Sequence, residues 1–302
     1  MASTLLTRHP AWYGAVMGTG ALSMALSGEA AAFDASWLTV AAVAFLLLTS
    51  VLAIILLPRY LRRFDDRSAL DAELADPARG PMLATLPAGI LVLACDWGRV
   101  GPELMSTNIA LWISAVLIVI GAIGAIVFSL AWITATLNAE PSLEAVNGGW
   151  MIPPVMNLIV PVGLAAIMPA VPELAPVLLL IGFAFYGIGA VLFVVILTML
   201  VTRLILRAPV LPPLAASLWI PLAPCGLVGL AATRLLQSGA QAGVTFVPDI
   251  GVGVAIAAMG IGLGLWWTAF ALIELRRVLR QGALHEQPRW WGFVFPVGTI
   301  TL

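Results

Sequence analysis

The sequence predicts an all-α polytopic membrane protein, a single transmembrane domain over residues 1–302 in which helical hairpins repeat around a central pore. Three observations lead there. The 302 residues are 62% hydrophobic and only 10% charged, with a mean hydropathy of +1.07, outside the range of a soluble domain. Apolar runs long enough to cross a bilayer, about 20 residues each, recur along the whole chain. From the third run onward, proline falls inside every second one and is missing from the body of those between.

The runs lie at roughly Ala11–Ser27, Trp37–Leu57, Met82–Ala94, Ile109–Leu137, Trp150–Val171, Ala175–Thr202, Leu211–Leu235 and Ile250–Ile273, with a ninth beginning at Trp290. Pro81 and Trp97 point to a third span a few residues longer at each end. A helix from Trp290 to Leu302 is only about 20 Å long, against a hydrocarbon core of roughly 30 Å. The chain is therefore expected to be truncated within its ninth helix. All fourteen basic residues are Arg. If successive runs cross alternately, twelve of them fall on one side and Arg99 and Arg234 on the other. That positive-inside bias places the N-terminus and the loops after even spans in the cytoplasm of a multi-pass plasma-membrane protein. The loop Asn138–Gly149 should share that side, yet it carries Glu140 and Glu144 and no Arg.

Span one, AWYGAVMGTGALSMALS, has Gly14 and Gly18 at the spacing of close helix packing. Gly18, Thr19 and Gly20 can alternatively loosen the helix and offer backbone and hydroxyl groups to a cavity. Span two is Leu, Ala and Val throughout, ends at Pro58 and reads as a scaffold helix. The cytoplasmic loop 59–80 mixes five Arg with five acids, a solvated and self-paired linker with no ligand site implied. Span three carries Pro87, and span four no proline. Span five, WMIPPVMNLIVPVG at its start, carries Pro153, Pro154 and Pro161, with Asn157 as either an interhelical hydrogen-bonding group or a ligand contact. Span six is free of proline from Val177 to Arg207. Span seven has Pro221 and Pro224 at its middle, span eight is again free, and span nine has Pro296.

Proline inside a helix removes a backbone donor and clashes one turn back, and the freed carbonyls are tolerated at membrane depth only in protein or along a wet cavity. The odd spans are therefore expected to be broken inner helices that line the pore, and the even spans straight outer ones, hairpin after hairpin. Cys95 and Cys225 read as structural thiols.

Carboxylates are expected only at span ends, with Asp96, Asp249 and Glu274 the nearest, which argues against proton coupling through protein side chains. His9 and His285 lie in the cytoplasmic flanks. No catalytic triad, metal cluster or Walker sequence can be assembled at depth, so no enzyme, cofactor, metal or nucleic-acid partner is expected. A pore without fixed charge, fed by an Arg-rich mouth, suits small anions held weakly. A non-transporting assembly subunit is the other class.

Pro10-Ala-Trp-Tyr-Gly-Ala-Val-Met-Gly-Thr-Gly-Ala-Leu-Ser resembles the first-span signature of the tellurite-resistance/dicarboxylate transporter family, which includes fungal malic-acid permeases, sulfite efflux pumps and plant slow anion channels. Trp150-Met-Ile-Pro-Pro-Val, Ile220-Pro-Leu-Ala-Pro-Cys-Gly and Trp290-Trp-Gly-Phe-Val-Phe-Pro are similar to its other inner helices. The resemblance implies a ten-helix subunit of five hairpins in the bilayer, the fifth incomplete here, usually assembled as a homotrimer. It also implies that Phe295, matching a phenylalanine that plugs the pore in channel members, is the gate; ordinary packing is the alternative for that ring. The Met-Gly-Thr-Gly form is closer to the dicarboxylate and sulfite branch. The expected substrates are C4-dicarboxylates such as malate, with sulfite or another inorganic anion as the alternative and a passive Phe-gated channel as the rival mechanism.

Overall fold

The computed structural model describes residues 9–207, 212–280 and 291–301, so His285 and Trp290 lie outside the described residues. Among the described residues ten α-helices follow in order: α1 Gly14–Phe33, α2 Ser36–Leu61, α3 Arg67–Ala75, α4 Thr85–Arg99, α5 Thr107–Ala139, α6 Ile152–Ile167, α7 Ala175–Leu206, α8 Leu222–Gln241, α9 Ile250–Arg280 and α10 Trp291–Ile300. Each of α1, α4, α6 and α8 forms an antiparallel hairpin with the long helix that follows it, α1 with α2, α4 with α5, α6 with α7 and α8 with α9. The first helices of these hairpins pack side by side, α1 on α4, α4 on α6 and α6 on α8. Helix α10 closes the ring by packing on both α8 and α1.

Among the described residues, seven stretches are long and apolar enough to cross a membrane. Burial separates them into two sets. Those containing α4, α6 and α8 are 83–89% buried, whereas those of α2, α5, α7 and α9 are 22–28% buried. The outer helices are apolar around their whole circumference, as a lipid-facing helix must be. Inner and outer helices of a hairpin approach closely through small residues, as α8 and α9 do. A β-carbon built on Gly229 would stand 2.4 Å from Ala257 Cα, and one on Gly260 2.2 Å from the Cys225 carbonyl oxygen.

The structure corrects the nature of the helix breaks. Pro153 and Pro154 stand in the first turn of α6, Pro221 caps α8, and Pro87 and Pro224 occupy the third positions of α4 and α8. First-turn amides have no intrahelical acceptor, so proline there costs little and starts a helix rather than breaking one. Only Pro161 and Pro296 interrupt inner helices, and Pro58, expected to end span two, lies inside α2.

The irregular backbone lies instead before α1, α4, α6 and α8. Short 3-10 segments, Pro10–Tyr13, Gly80–Ala84, Gly148–Met151 and Pro212–Trp219, lead into α1, α4, α6 and α8. For α4, length explains the segment. The fifteen residues of α4 rise only about 23 Å at 1.5 Å each, too little for a hydrocarbon core of about 30 Å. The five residues of its 3-10 segment add about 10 Å at 2.0 Å each.

These segments expose carbonyls that the surrounding helices satisfy. Thr85 donates to Pro10 O at 3.0 Å, Trp267 on α9 donates through Nε1 to Leu218 O at 2.7 Å, and Tyr60 on α2 donates to Leu83 O. Successive 3-10 segments also touch one another at the arginine-rich end. The tightest contact is at Gly148, where an added β-carbon would meet the Ser217 carbonyl oxygen at 1.8 Å. Gly148→Ala is therefore expected to cost about 3 kcal/mol or more. Thermal unfolding in detergent checks this against Gly187→Ala, whose β-carbon would meet nothing within 4 Å.

The loop 59–80 pairs with itself as expected, Glu73 holding both Arg63 and Arg79. The Arg-free loop before α6 is tied to the next arginines along the chain. Arg207 Nε lies 2.7 Å from Glu144 Oε1, and the buried Arg203 donates to the Glu144 carbonyl. Hydrogen bonds from its own backbone amide and from Ser142 hold the Glu144 carboxyl below the usual carboxylate range, and Arg207 adds to them.

Candidate functional site

Two cavities lie along the inner ring. The first, about 40 Å³, lies toward the arginine-rich end and takes its wall from all five inner segments: Gly14 and Met17 of α1, Met82 and Thr85 around the start of α4, Ile152 of α6, Ile220 before α8, and Trp291, Phe295 and Pro296 of α10. It is almost wholly apolar. Phe295 is 5% exposed, its ring packed into this wall. Pro296 follows it, so the helix that carries the phenylalanine lacks one backbone hydrogen bond beside the ring.

The second cavity, about 280 Å³, lies toward the opposite ends of the inner helices and is polar by comparison. Arg99 of α4, Arg234 and Gln241 of α8 and Ser238 stand with Met24 of α1 and Val162 of α6 around it. The two guanidinium groups are close enough to repel. Neither forms an ion pair among the described residues, and Arg99 Nε makes only a long 3.3 Å contact with Ser27 Oγ. Two partly buried cations that form no ion pair make this cavity electropositive.

Several residues expected to line the path face neighbouring helices instead. Thr19 Oγ1 donates to Ala15 O within its own helix and receives Thr49 Oγ1 from α2 at 3.0 Å. Gly18 lies under the Trp291 ring and Gly20 against Val92 of α4. Pro87 meets Gly124 of α5. Asn157 is wholly buried and turned outward, donating to Ser129 Oγ of α5 at 2.8 Å and to Pro153 O. For Thr19 the helix phase decides: residues of α1 that line the first cavity, Gly14 and Met17, recur at three-residue spacing on a face that excludes Thr19. Pro153, Pro154, Pro161, Pro221 and Pro224 are buried in the ring wall without lining either cavity.

The expectation that ionisable side chains stop at the span ends is also corrected. Asp96 lies inside α4 and is 0% exposed, and Arg234 lies well within α8. Arginine and aspartate at those depths mark this end of the molecule as a candidate site, a signal that the sequence carries only once the helix bounds are known.

Comparison with known proteins follows the same lines. The family model described as voltage-dependent anion channel matches residues 8–302. Two uncharacterized transporters of Methanocaldococcus jannaschii are each 28% identical, over 96% and 99% of this chain and 80% and 84% of their own lengths. A protein of Trichophyton rubrum named as a sulfite efflux pump is 27% identical over 97% of this chain and 80% of its own length.

Proposed function

This chain belongs to the voltage-dependent anion channel family, and we propose that it carries small anions along the axis of its helix ring, between the apolar cavity beside Phe295 and the vestibule of Arg99 and Arg234. The observation that carries this reading is the pair of unpaired guanidinium groups facing one cavity from two inner helices. Phe295 is the gate and Pro296 the flexible point behind it. Pro153, Pro154, Pro161, Pro221 and Pro224 shape the wall between the two cavities.

Two facing cations suit an anion with two negative charges. Sulfite is the first such substrate, because a relative that this chain matches over nearly its whole length bears that name. A C4-dicarboxylate such as malate has the same charge at greater length and is the second, favoured by the Met17-Gly18-Thr19-Gly20 form of the first inner helix. We place the protein in the plasma membrane with its N-terminus cytoplasmic, on the arginine bias. The homotrimer is carried over from the family resemblance.

Uptake into proteoliposomes of labelled sulfite, with malate, nitrate and chloride as competitors, separates the substrates. Sulfite uptake suppressed by a large excess of malate and weakly by chloride is the expected order. Malate uptake that sulfite does not suppress would reverse the assignment.

A further inference from the structure

We propose that Asp96 is a proton-binding site whose occupancy frees Arg99 for the anion. The argument is a count of protons. Ser23 Oγ of α1 lies 2.8 Å from the Ala42 carbonyl oxygen of α2 and 2.7 Å from Asp96 Oδ1 of α4. Ser23 and Asp96 are both 0% exposed. A serine hydroxyl has one proton to donate, a carbonyl oxygen only accepts, and an ionised carboxylate only accepts. Two acceptors therefore face one donor, and the carboxyl is the single member of the three that can carry the second proton. With it, Asp96 Oδ1–H donates to Ser23 Oγ and Ser23 Oγ–H donates to Ala42 O, a chain in which each group is satisfied.

The second carboxyl oxygen gives independent support. Asp96 Oδ2 is buried and has no hydrogen-bond partner. It stands 3.7 Å from where a β-carbon on Gly20 of α1 would be, a point that methyl groups of Val92 of α4 and Thr49 of α2 also approach. A neutral carbonyl oxygen is tolerated in such a place far better than half of a carboxylate charge. The charged and titratable groups around it are few. Arg99, one turn further along the same helix, is the charge that acts on Asp96, and the Cys95 thiol is its chain neighbour. From the helices packed against α4, α1 brings Ser23, α2 brings Thr49 and α5 brings Ser114, all hydroxyls, and α6 brings no charged side chain.

The link to transport rests on the vestibule being the anion site. While Asp96 is neutral, the Arg99 guanidinium has no carboxylate to answer and its field falls on the vestibule. When the proton leaves to water, a carboxylate appears one turn from Arg99, draws it back and competes with the anion. Proton and anion then favour each other's binding, reciprocally. The sign follows: raising pH removes the proton and weakens anion binding.

Infrared spectroscopy of the reconstituted full chain tests the proton directly. At neutral pH the wild type should show the carbonyl stretch of a protonated carboxylic acid, and carboxyl-¹³C-aspartate labelling should lower its frequency without any mutation. Asp96→Asn should abolish the band, and Ser23→Ala, which removes its acceptor, should raise the frequency. A labelled wild type with no such band overturns the proposal. Chloride, which does not titrate, tests the linkage: wild-type uptake should fall as pH rises on both sides, and Asp96→Asn uptake should stay flat. Profiles that fall together would refute the coupling. The infrared test involves no anion, so its failure leaves the transport reading untouched, whereas loss of all anion uptake with the band present would fault that reading alone.

Discussion

Phe295→Ala is expected to raise anion flux through the reconstituted protein on the order of tenfold, which corresponds to removing about 1.4 kcal/mol from the barrier. The ring is buried in a cavity of about 40 Å³ whose wall comes from every inner segment, so an anion following the axis must pass it. An apolar constriction forces an anion to shed water without offering a partner. Trimming the ring to a methyl group leaves room for part of the hydration shell. If the phenyl is packing and nothing more, its removal instead costs about 3–5 kcal/mol of stability with no gain in flux. Flux and thermal stability measured on the same preparation separate the two outcomes.

Arg99→Gln and Arg234→Gln are each expected to raise the anion concentration for half-maximal uptake by roughly tenfold or more, since a hydrogen bond to a charged group contributes about 1.5–3 kcal/mol. Gln keeps a donor and a similar stem, so the change isolates the charge. The double substitution should exceed either single one and should flatten the dependence of uptake on ionic strength, because the field that concentrates anions is gone. Stability should hold or rise slightly, as two repelling cations are relieved. Uptake curves that overlay the wild type would exclude these arginines from the path.

Much of the architecture was legible because its signals are local. The proline alternation and the side-to-side bias of Arg mark inner helices, outer helices and hairpin order without reference to contacts. The meaning of each proline was less legible. Pro153 and Pro87 look alike in sequence whether they break a helix or open one, and the difference is whether a 3-10 segment precedes them.

The site was harder to read than the fold. Thr19 and Asn157 are polar groups in apolar runs, and whether they face the axis or an outer helix depends on helix phase against neighbours distant in sequence, here Thr49 and Ser129. Arg99 and Arg234 belong to different hairpins, and only the closed ring brings them to one cavity. Asp96 reads from the sequence as a group at the end of its span because the apolar run stops at Ala94, whereas the helix runs on to Arg99 and buries the carboxyl against Ser23.

The central claim, an axial anion path gated by Phe295, is tested most directly by anion current across proteoliposomes under an imposed voltage, wild type against Phe295→Ala, with sulfite and then chloride as the only permeant ion. The expected result is a small wild-type current that the substitution multiplies, reduced in both backgrounds by Arg99→Gln. Folded protein that passes no anion in either form, or a substitution that leaves the current unchanged, would contradict the account.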